Sequence, residues 1–434
     1  MACPFVNFSD PFKPHALAPI SEKPSEPIVR PDIEWMPAYK TYKDRVKRLA
    51  ELHPDRPTTV PEGYPLKVDA ERCWVGSDLT EDDYVVHFTP EDIVEIEAAL
   101  AHFKANHPDL NPDNVDKTTF PLPNLAPRLH EVAETIHHGR GFVVLRGLQP
   151  AKYSNQDNIL LYLGVTSYIA ETRGMQDFDG RMILHIQATH PEVLPDGTMP
   201  NSPYVARAQP FHTDLCDILT LYALSTSASG GQSYLASSAA VYNTLAASRP
   251  DLLHVLASPT WTYDEFFENQ YHLRPLLHLF PPSHPTDPSG KPVFQFSRRP
   301  LTGSVFSPHH PLVPAMTESQ AEALDAVHFA AESLAVRVDL RPGDMEVVNN
   351  FAMLHARSAF ADAGDQRRHM LRLWLRNEEM RWTLPDEGAT PGGAVLHRLS
   401  WECYGEHEWR RGRVWDVEGS PAELRVKHRR ASCA

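Results

Sequence analysis

Apolar residues recur at helical spacing in only a few stretches of this chain, and short apolar runs bounded by glycine, proline or polar residues are much commoner. Ile93, Ile96, Leu100 and Phe103 follow Pro90-Glu91-Asp92 at three- and four-residue steps, which predicts a helix with Thr89 as its N-cap. A second helix is expected over about 126–138, ending at Gly139, and a third from Asn155 to Ala170. Ser238 is placed to cap a helix over about 239–247, Asp251 to start a short one, and Thr317 to cap one reaching Ala335. The strand candidates are short. They are Cys73-Trp74-Val75, Tyr84-Val85-Val86, the apolar run within Gly141–Leu148, Met182–Ile186, Phe211–Asp214, Ile218–Tyr222, Gln232–Leu235 and His369–Arg376. Residues 336–340 and 345–348, joined by Arg341-Pro342-Gly343-Asp344, read as a hairpin. Many short strands with few long helices predict an α+β, mainly β fold, a double-stranded barrel or jelly roll flanked by helices.

Two regions lack this periodicity. Residues 1–70 alternate proline, charge and isolated aromatics, and are expected to form an arm packing on the body through Trp35, Met36 and Tyr39. Residues 262–314 are aromatic, His- and Pro-rich, which predicts a long loop acting as a lid or binding segment. The expected division is thus an arm over 1–70, a main domain over 71–385 carrying the lid 262–314, and an extension over 386–434 with a basic tail. At 434 residues, length alone would allow two or three domains, but one elaborated barrel is equally ordinary.

Charge and cysteine content narrow the function. A net charge of −15 argues against nucleic acid as a partner, because phosphate binding needs a basic surface. The basic residues Arg410, Arg411, Arg413, Lys427, Arg429 and Arg430 read as a solvated tail. Five scattered cysteines without CxxC spacing fit neither a disulfide framework nor a zinc ribbon, and point to a reducing compartment. No run is long enough to span a bilayer, and the start Met1-Ala2-Cys3-Pro4-Phe5 lacks the pattern of a signal peptide. A soluble, cytoplasmic protein is expected, with a small-molecule substrate, no membrane and no nucleic acid; a homo-oligomer is compatible with the sequence.

The chemistry centres on Phe211-His212-Thr213-Asp214. On an extended segment His212 and Asp214 point to one side, making two-thirds of a facial metal site. His355 follows Asn349-Asn350-Phe351-Ala352-Met353-Leu354, and Arg368 lies thirteen residues beyond it. Two histidines and one carboxylate on one face of a divalent ion leave positions open, the pattern of non-haem Fe(II) oxygenases. An anionic co-substrate in those positions needs its far carboxylate held, and the planar, always-charged Arg fork suits that task.

In order and approximate spacing, His212-Thr213-Asp214, Gly230-Gly231-Gln232-Ser233, His355 and Arg368 resemble the taurine/2,4-dichlorophenoxyacetate dioxygenase-like branch of Fe(II)/2-oxoglutarate-dependent dioxygenases. Pro210–Asp214, Ser237–Asn243 and Arg372-Leu373-Trp374-Leu375-Arg376 resemble fungal members in particular, and the likeness spans about 120–380. The resemblance implies a clavaminate synthase-like double-stranded β-helix in which His212, Asp214 and His355 bind Fe(II) and O2 is the oxidant. It implies that Arg368 pairs with the distal carboxylate of 2-oxoglutarate. Ser233 stands where relatives often have Thr and is expected to donate to that carboxylate, although Gln232 replaces the usual acid before it. Arg372 is expected either to bind a substrate anion or to share the 2-oxoglutarate pocket. Halogenating relatives lack the carboxylate at Asp214, so its presence favours hydroxylation or desaturation of a small organic molecule, with release of succinate and CO2. The competing class is a metal-binding cupin-like isomerase or a non-catalytic small-molecule-binding barrel, for which an anion clamp at Arg368 has no use.

Other conspicuous residues take plainer readings. His137-His138 suits a helix C-terminus. His309-His310 reads as surface loop, and His185 as a satisfied core histidine. Cys216 has no base partner in view. Trp261, Tyr263, Phe266 and Phe267 are either substrate wall or packing.

Overall fold

The apolar runs become strands because each buries residues on both faces, between two sheets on one side and under helices on the other. The computed structural model describes residues 30–177, 180–188, 204–264, 270–282, 290–303, 313–405 and 412–419, with the strand Leu17–Pro19. The larger sheet runs Val85–His87, Phe142–Arg146, Met345–Asn349, Ile218–Ser225, His369–Arg376, Thr172–Gly174, and Leu184–Ile186 also pairs with His369–Arg376. The smaller sheet runs Val336–Val338, Ser233–Ser237, Met353–Arg357, Gln209–His212. From Gln209–His212 the chain crosses to the large sheet and returns to the small one at Ser233–Ser237. After Val336–Val338 it crosses, returns and crosses again. This is the expected α+β jelly roll with flanking helices.

Alternation along the strands sorts the core into layers. Phe142, Val144, Leu219, Leu235, Val338, Val348, Met353 and Trp374 form a cluster between the sheets. Val143, Leu145, Tyr222, Leu371, Leu373 and Leu375, on the other face of the large sheet, pack with Ile96, Phe103, Leu129 and Ile136. These come from the helices Pro90–Asn106 and Ala126–His137, and the almost wholly buried helix Asn155–Ser167 joins the same cluster. Each such side chain removed from water contributes roughly 1.5–3 kcal/mol. The helices Ser238–Ser248 and Glu318–Leu334 back the small sheet through Tyr242, Leu245, Leu324 and Val327, and Pro250–Ala257 packs against both helices. Thr89 and Thr317 each close a capping box, whereas the third cap falls on Ser237, one residue before the expected Ser238.

Four expectations are corrected. Residues 336–340 and 345–348 do not form a hairpin: Val336–Val338 pairs with Ser233–Ser237, and Met345–Asn349 pairs with two strands of the other sheet. The turn between them is a corner, held by Arg146 donating to both oxygens of Asp344 at 2.9 and 2.8 Å. Cys73-Trp74-Val75 is not a strand; Trp74 is inserted into the core with its Nε1 donating to Arg140 O at 3.0 Å.

The N-terminal segment, expected as an arm, contains a helix, Tyr39–Leu52, along which Tyr39, Tyr42, Val46 and Leu49 recur at helical spacing. Leu49 is buried and Tyr42 packs on the core, and buried Arg45 donates to Asp325 at 2.9 Å and to Glu318 at 3.0 Å. Met36 and Tyr39 are exposed, although the Tyr39 ring meets Phe329 edge-on at 5.0 Å. The fourth correction concerns 262–314, where a structureless loop was expected. That region contains the strands Gln270–Arg274, Leu277–Phe280 and Lys291–Phe294 and the short helix Arg299–Thr302. Strand Trp261–Asp264 buries Trp261 and Tyr263 as packing. Phe266, Phe267, His309, His310 and the basic residues Arg410, Arg411, Lys427, Arg429 and Arg430 lie outside the described residues. Beyond 385, the helix Gly393–Tyr404 packs on the large sheet, with Tyr404 Oη donating to Leu375 O at 2.8 Å. Among the described residues no helix is long and apolar enough to cross a membrane.

Candidate active site

His212 ends the strand Gln209–His212, and His355 lies directly opposite it in the middle of Met353–Arg357. That register brings the two rings to 4.0 Å between centroids. Asp214 reaches the same face by a different route from the strand alternation expected. The strand stops at His212, after which Thr213 exchanges hydrogen bonds with Phe296, its N–H donating to Phe296 O at 2.7 Å. Asn350 then pins the turn. Its Oδ1 accepts the Asp214 N–H at 2.8 Å, and its Nδ2 donates to Asp214 O and Cys216 O at 2.9 and 2.6 Å.

The carboxylate is divided between two tasks. Asp214 Oδ2 accepts from Arg372 Nη1 and Trp374 Nε1, each at 3.0 Å. Asp214 Oδ1 is buried without a partner, 3.9 Å from His212 Nε2. His212 Nδ1 lies 2.9 Å from Pro210 O, and because a carbonyl only accepts, Nδ1 carries the proton and Nε2 presents its lone pair. Burial, above all, holds both imidazoles below the usual histidine range, with their mutual repulsion adding at His355. Burial pushes the Asp214 carboxyl up, but Arg372, the two histidines and Trp374 outweigh it and leave its pKa lowered.

One anionic oxygen and two neutral imidazoles, with ligand atoms all within 4.8 Å of one another, form a donor set that fits a divalent ion. It is the one such group among the described residues. Removing the Trp374 donor tests the bracing of Asp214: Trp374→Phe is expected to weaken Fe(II) binding by about 10–100-fold. Anaerobic iron titration reads this, and an unchanged dissociation constant would deny Trp374 a part in orienting the carboxylate.

One cavity joins this cluster to the other expected residues, since His212, Asp214, Ser233, His355, Arg368 and Arg372 all line it. Arg372 does not project free into that space. Its Nη1 is on Asp214 and its Nε donates to Gln176 Oε1 at 2.8 Å, with Nη2 left unpartnered. Arg368 also lines the cavity, buried, its guanidinium 5.5 Å from the centre of the Phe360 ring. Its Nε and Nη1 have no partners. The Gly230-Gly231 turn makes room beside it, because a Cβ at Gly231, where φ is +77°, would lie 3.1 Å from Arg368 Cδ.

Ser233 lines the cavity too, but its hydroxyl donates to Glu346 Oε2 at 3.0 Å. Burial pushes the Glu346 carboxyl up to about 7, against the pull of Ser233 and Arg368. Burial likewise brings Arg368 down to about 10, with Glu346 and Asp362 opposing.

Sequence reasoning missed Asn350, Trp374, Gln176, Glu346 and Arg357. Two of them had a readable signal. Glu346 is a charge inside the apolar run Met345-Glu346-Val347-Val348, and Arg357 stands two residues past His355, hence on the same strand face. The plainer readings of other residues match what the structure contains. His137 Nδ1 bonds Ala133 O at 2.7 Å, and His185 bridges His369 Nε2 at 2.8 Å and Asp416 O at 2.7 Å. Cys216 is buried, its thiol pushed up chiefly by that burial.

Comparison with known proteins places these observations among relatives. The family model described as "Taurine catabolism dioxygenase TauD, TfdA family" matches residues 106–374. "Taurine hydroxylase-like protein SAT17" from Stachybotrys chartarum is 36% identical over 328 residues, 74% of this chain and 82% of that protein. "FR-33289 synthase" from Streptomyces rubellomurinus is 27% identical over 285 residues, 64% of this chain and 81% of that protein. Among solved structures, asparagine oxygenase in complex with Fe(II), 2S,3S-3-hydroxyasparagine and succinate superposes with a TM-score of 0.50 at 17% identity. It covers 68% of this chain and 93% of that one, a likeness of fold.

Proposed function

Because this chain belongs to the TauD/TfdA family of dioxygenases, we propose that it is an Fe(II)- and 2-oxoglutarate-dependent oxygenase in which His212, Asp214 and His355 hold the iron and Arg368 holds the co-substrate. When bound, Fe(II) with 2-oxoglutarate and O2 supplies the oxidising chemistry that converts a small organic substrate and releases succinate and CO2. The chain's own residues supply position. Asn350 sets the Asp214 backbone, Arg372 and Trp374 hold one carboxylate oxygen, and the other oxygen is left for the metal. Pro210 O fixes the tautomer that presents His212 Nε2.

The observation that carries the reading is the pairing, in one cavity, of this metal-ready cluster with the two unpartnered N–H-bearing atoms of a buried arginine. A metal-binding barrel without an anionic co-substrate gains nothing from Arg368 and bears the cost of burying it. Hydroxylation is the favoured outcome: the fungal relative's name is taurine hydroxylase-like, and Asp214 occupies the position a halide would need. The free cysteines Cys73, Cys216 and Cys403 support a cytoplasmic setting.

The test is anaerobic addition of Fe(II) and 2-oxoglutarate to the full-length protein. A weak visible charge-transfer band is expected, followed under air by succinate formation. No band and no succinate would reject the oxygenase reading.

A further inference from the structure

Arg357 lines the same cavity and has been given no task. It closes the strand Met353–Arg357 and pairs in register with Ser233 on one side and Gln209 on the other. It is 6% exposed. Its Nη2 donates to Val205 O at 2.9 Å and to Arg207 O, which fixes the fork, while Nε and Nη1 are buried without partners. Its guanidinium stands 5.0 Å from the centre of the Phe360 ring, the ring that also carries Arg368 at 5.5 Å. Two guanidinium groups thus share one aromatic support, with four unpartnered nitrogens between them.

The cavity lining is one anion short. Of its charged groups, Asp214 is matched by Arg372, and Glu346 is the one acid left beside Arg357 and Arg368, while Asp362, which also acts on Arg368, lies off the lining. Two buried cations beside one carboxyl, which itself holds its proton readily, suit a carboxylate arriving from outside. Position fits as well. Two residues of strand separate His355 from Arg357, about 6.6 Å, close to the reach of a five-carbon diacid from its chelating end to its far carboxylate.

From these contacts, and resting on the reading of the cavity as a 2-oxoglutarate site, we propose that Arg357 and Arg368 form a two-guanidinium clamp for the distal carboxylate. A carboxylate has lone-pair sites enough to accept from both forks. Arg357 then discriminates between co-substrates by their far end, and the bond to Val205 and Arg207 aims it.

The test compares 2-oxoglutarate with 2-oxopentanoate, which keeps the chelating oxo acid and lacks the far carboxylate. Dissociation constants are measured anaerobically on the full-length Fe(II)-loaded protein by the chelate absorption band. In Arg357→Met the preference for 2-oxoglutarate is expected to fall at least about tenfold, with 2-oxopentanoate binding unchanged and Arg357→Lys recovering part of the loss. If both oxo acids weaken together, Arg357 merely props the 205–207 chain and the proposal fails. It also fails if neither moves. Arg368→Met is measured alongside: a preference undiminished in that variant refutes the cavity reading itself, separately from the part given to Arg357.

Discussion

Asp214→Ala is expected to lose iron binding and, independently, about 3–5 kcal/mol of stability. The two losses have different atoms behind them. Oδ1 is the unpartnered oxygen, offered to the metal in the proposed site, while Oδ2 is the acceptor that Arg372 Nη1 and Trp374 Nε1 share. Truncation therefore removes a ligand and also strands a buried guanidinium, whose other bond is to Gln176. Asp214→Asn keeps an acceptor for Trp374 and should need more denaturant to unfold than Asp214→Ala, yet still bind iron poorly. The double variant Asp214→Ala/Arg372→Met separates the effects, because it removes the stranded charge without restoring the ligand. Its stability should recover towards the parent while iron content stays low. Urea unfolding and metal analysis of the same preparations read both. Asp214→Ala retaining iron at parent levels would remove Asp214 from the proposed ligand set.

Arg368→Met should raise the 2-oxoglutarate requirement by two orders of magnitude or so while leaving iron binding intact. Each hydrogen bond from a charged donor to the distal carboxylate contributes about 1.5–3 kcal/mol, and a bidentate fork makes two. Arg368→Lys should recover little, since an ammonium cannot reproduce the planar fork over Phe360. A second consequence follows from Glu346. Arg368 is one of the groups that draw its proton away, so without it the Glu346 carboxyl should titrate higher still. The loss should appear in the Michaelis constant for 2-oxoglutarate at fixed iron. Equal loss of iron and co-substrate binding would make Arg368 a structural residue.

Much of this was written in local sequence. The caps at Thr89 and Thr317, the strand His369–Arg376 and the run after Gly141 depend on neighbours a few residues away, so pattern alone located them. The helix Tyr39–Leu52 was read as part of an extended arm, although Tyr42, Val46 and Leu49 stand at helical spacing along it. What the local pattern could not show is its docking, by Arg45 against Asp325 and Glu318, more than 270 residues distant. A corner and a hairpin likewise share the same turn residues, so the Arg341–Asp344 segment could not reveal that its flanking strands belong to different sheets.

The candidate site divides the same way. By itself, the sequence determined which residue types were available for the chemistry: two histidines, one carboxylate and an arginine, in the order of the family whose model the chain matches. Tertiary structure alone decided how they are held. Thr213 leaves the strand for Phe296, so that Asp214 arrives by a turn pinned from Asn350. Arg372, expected either to bind a substrate anion or to share the 2-oxoglutarate pocket, is held by Asp214 through Nη1, with Nη2 left unpartnered. Glu346 and Arg357 join the cavity only when strands far apart in sequence lie side by side. Phe211-His212-Thr213-Asp214 thus supplied two of the three candidate ligands, and long-range hydrogen bonds settled which of their atoms are left for a metal.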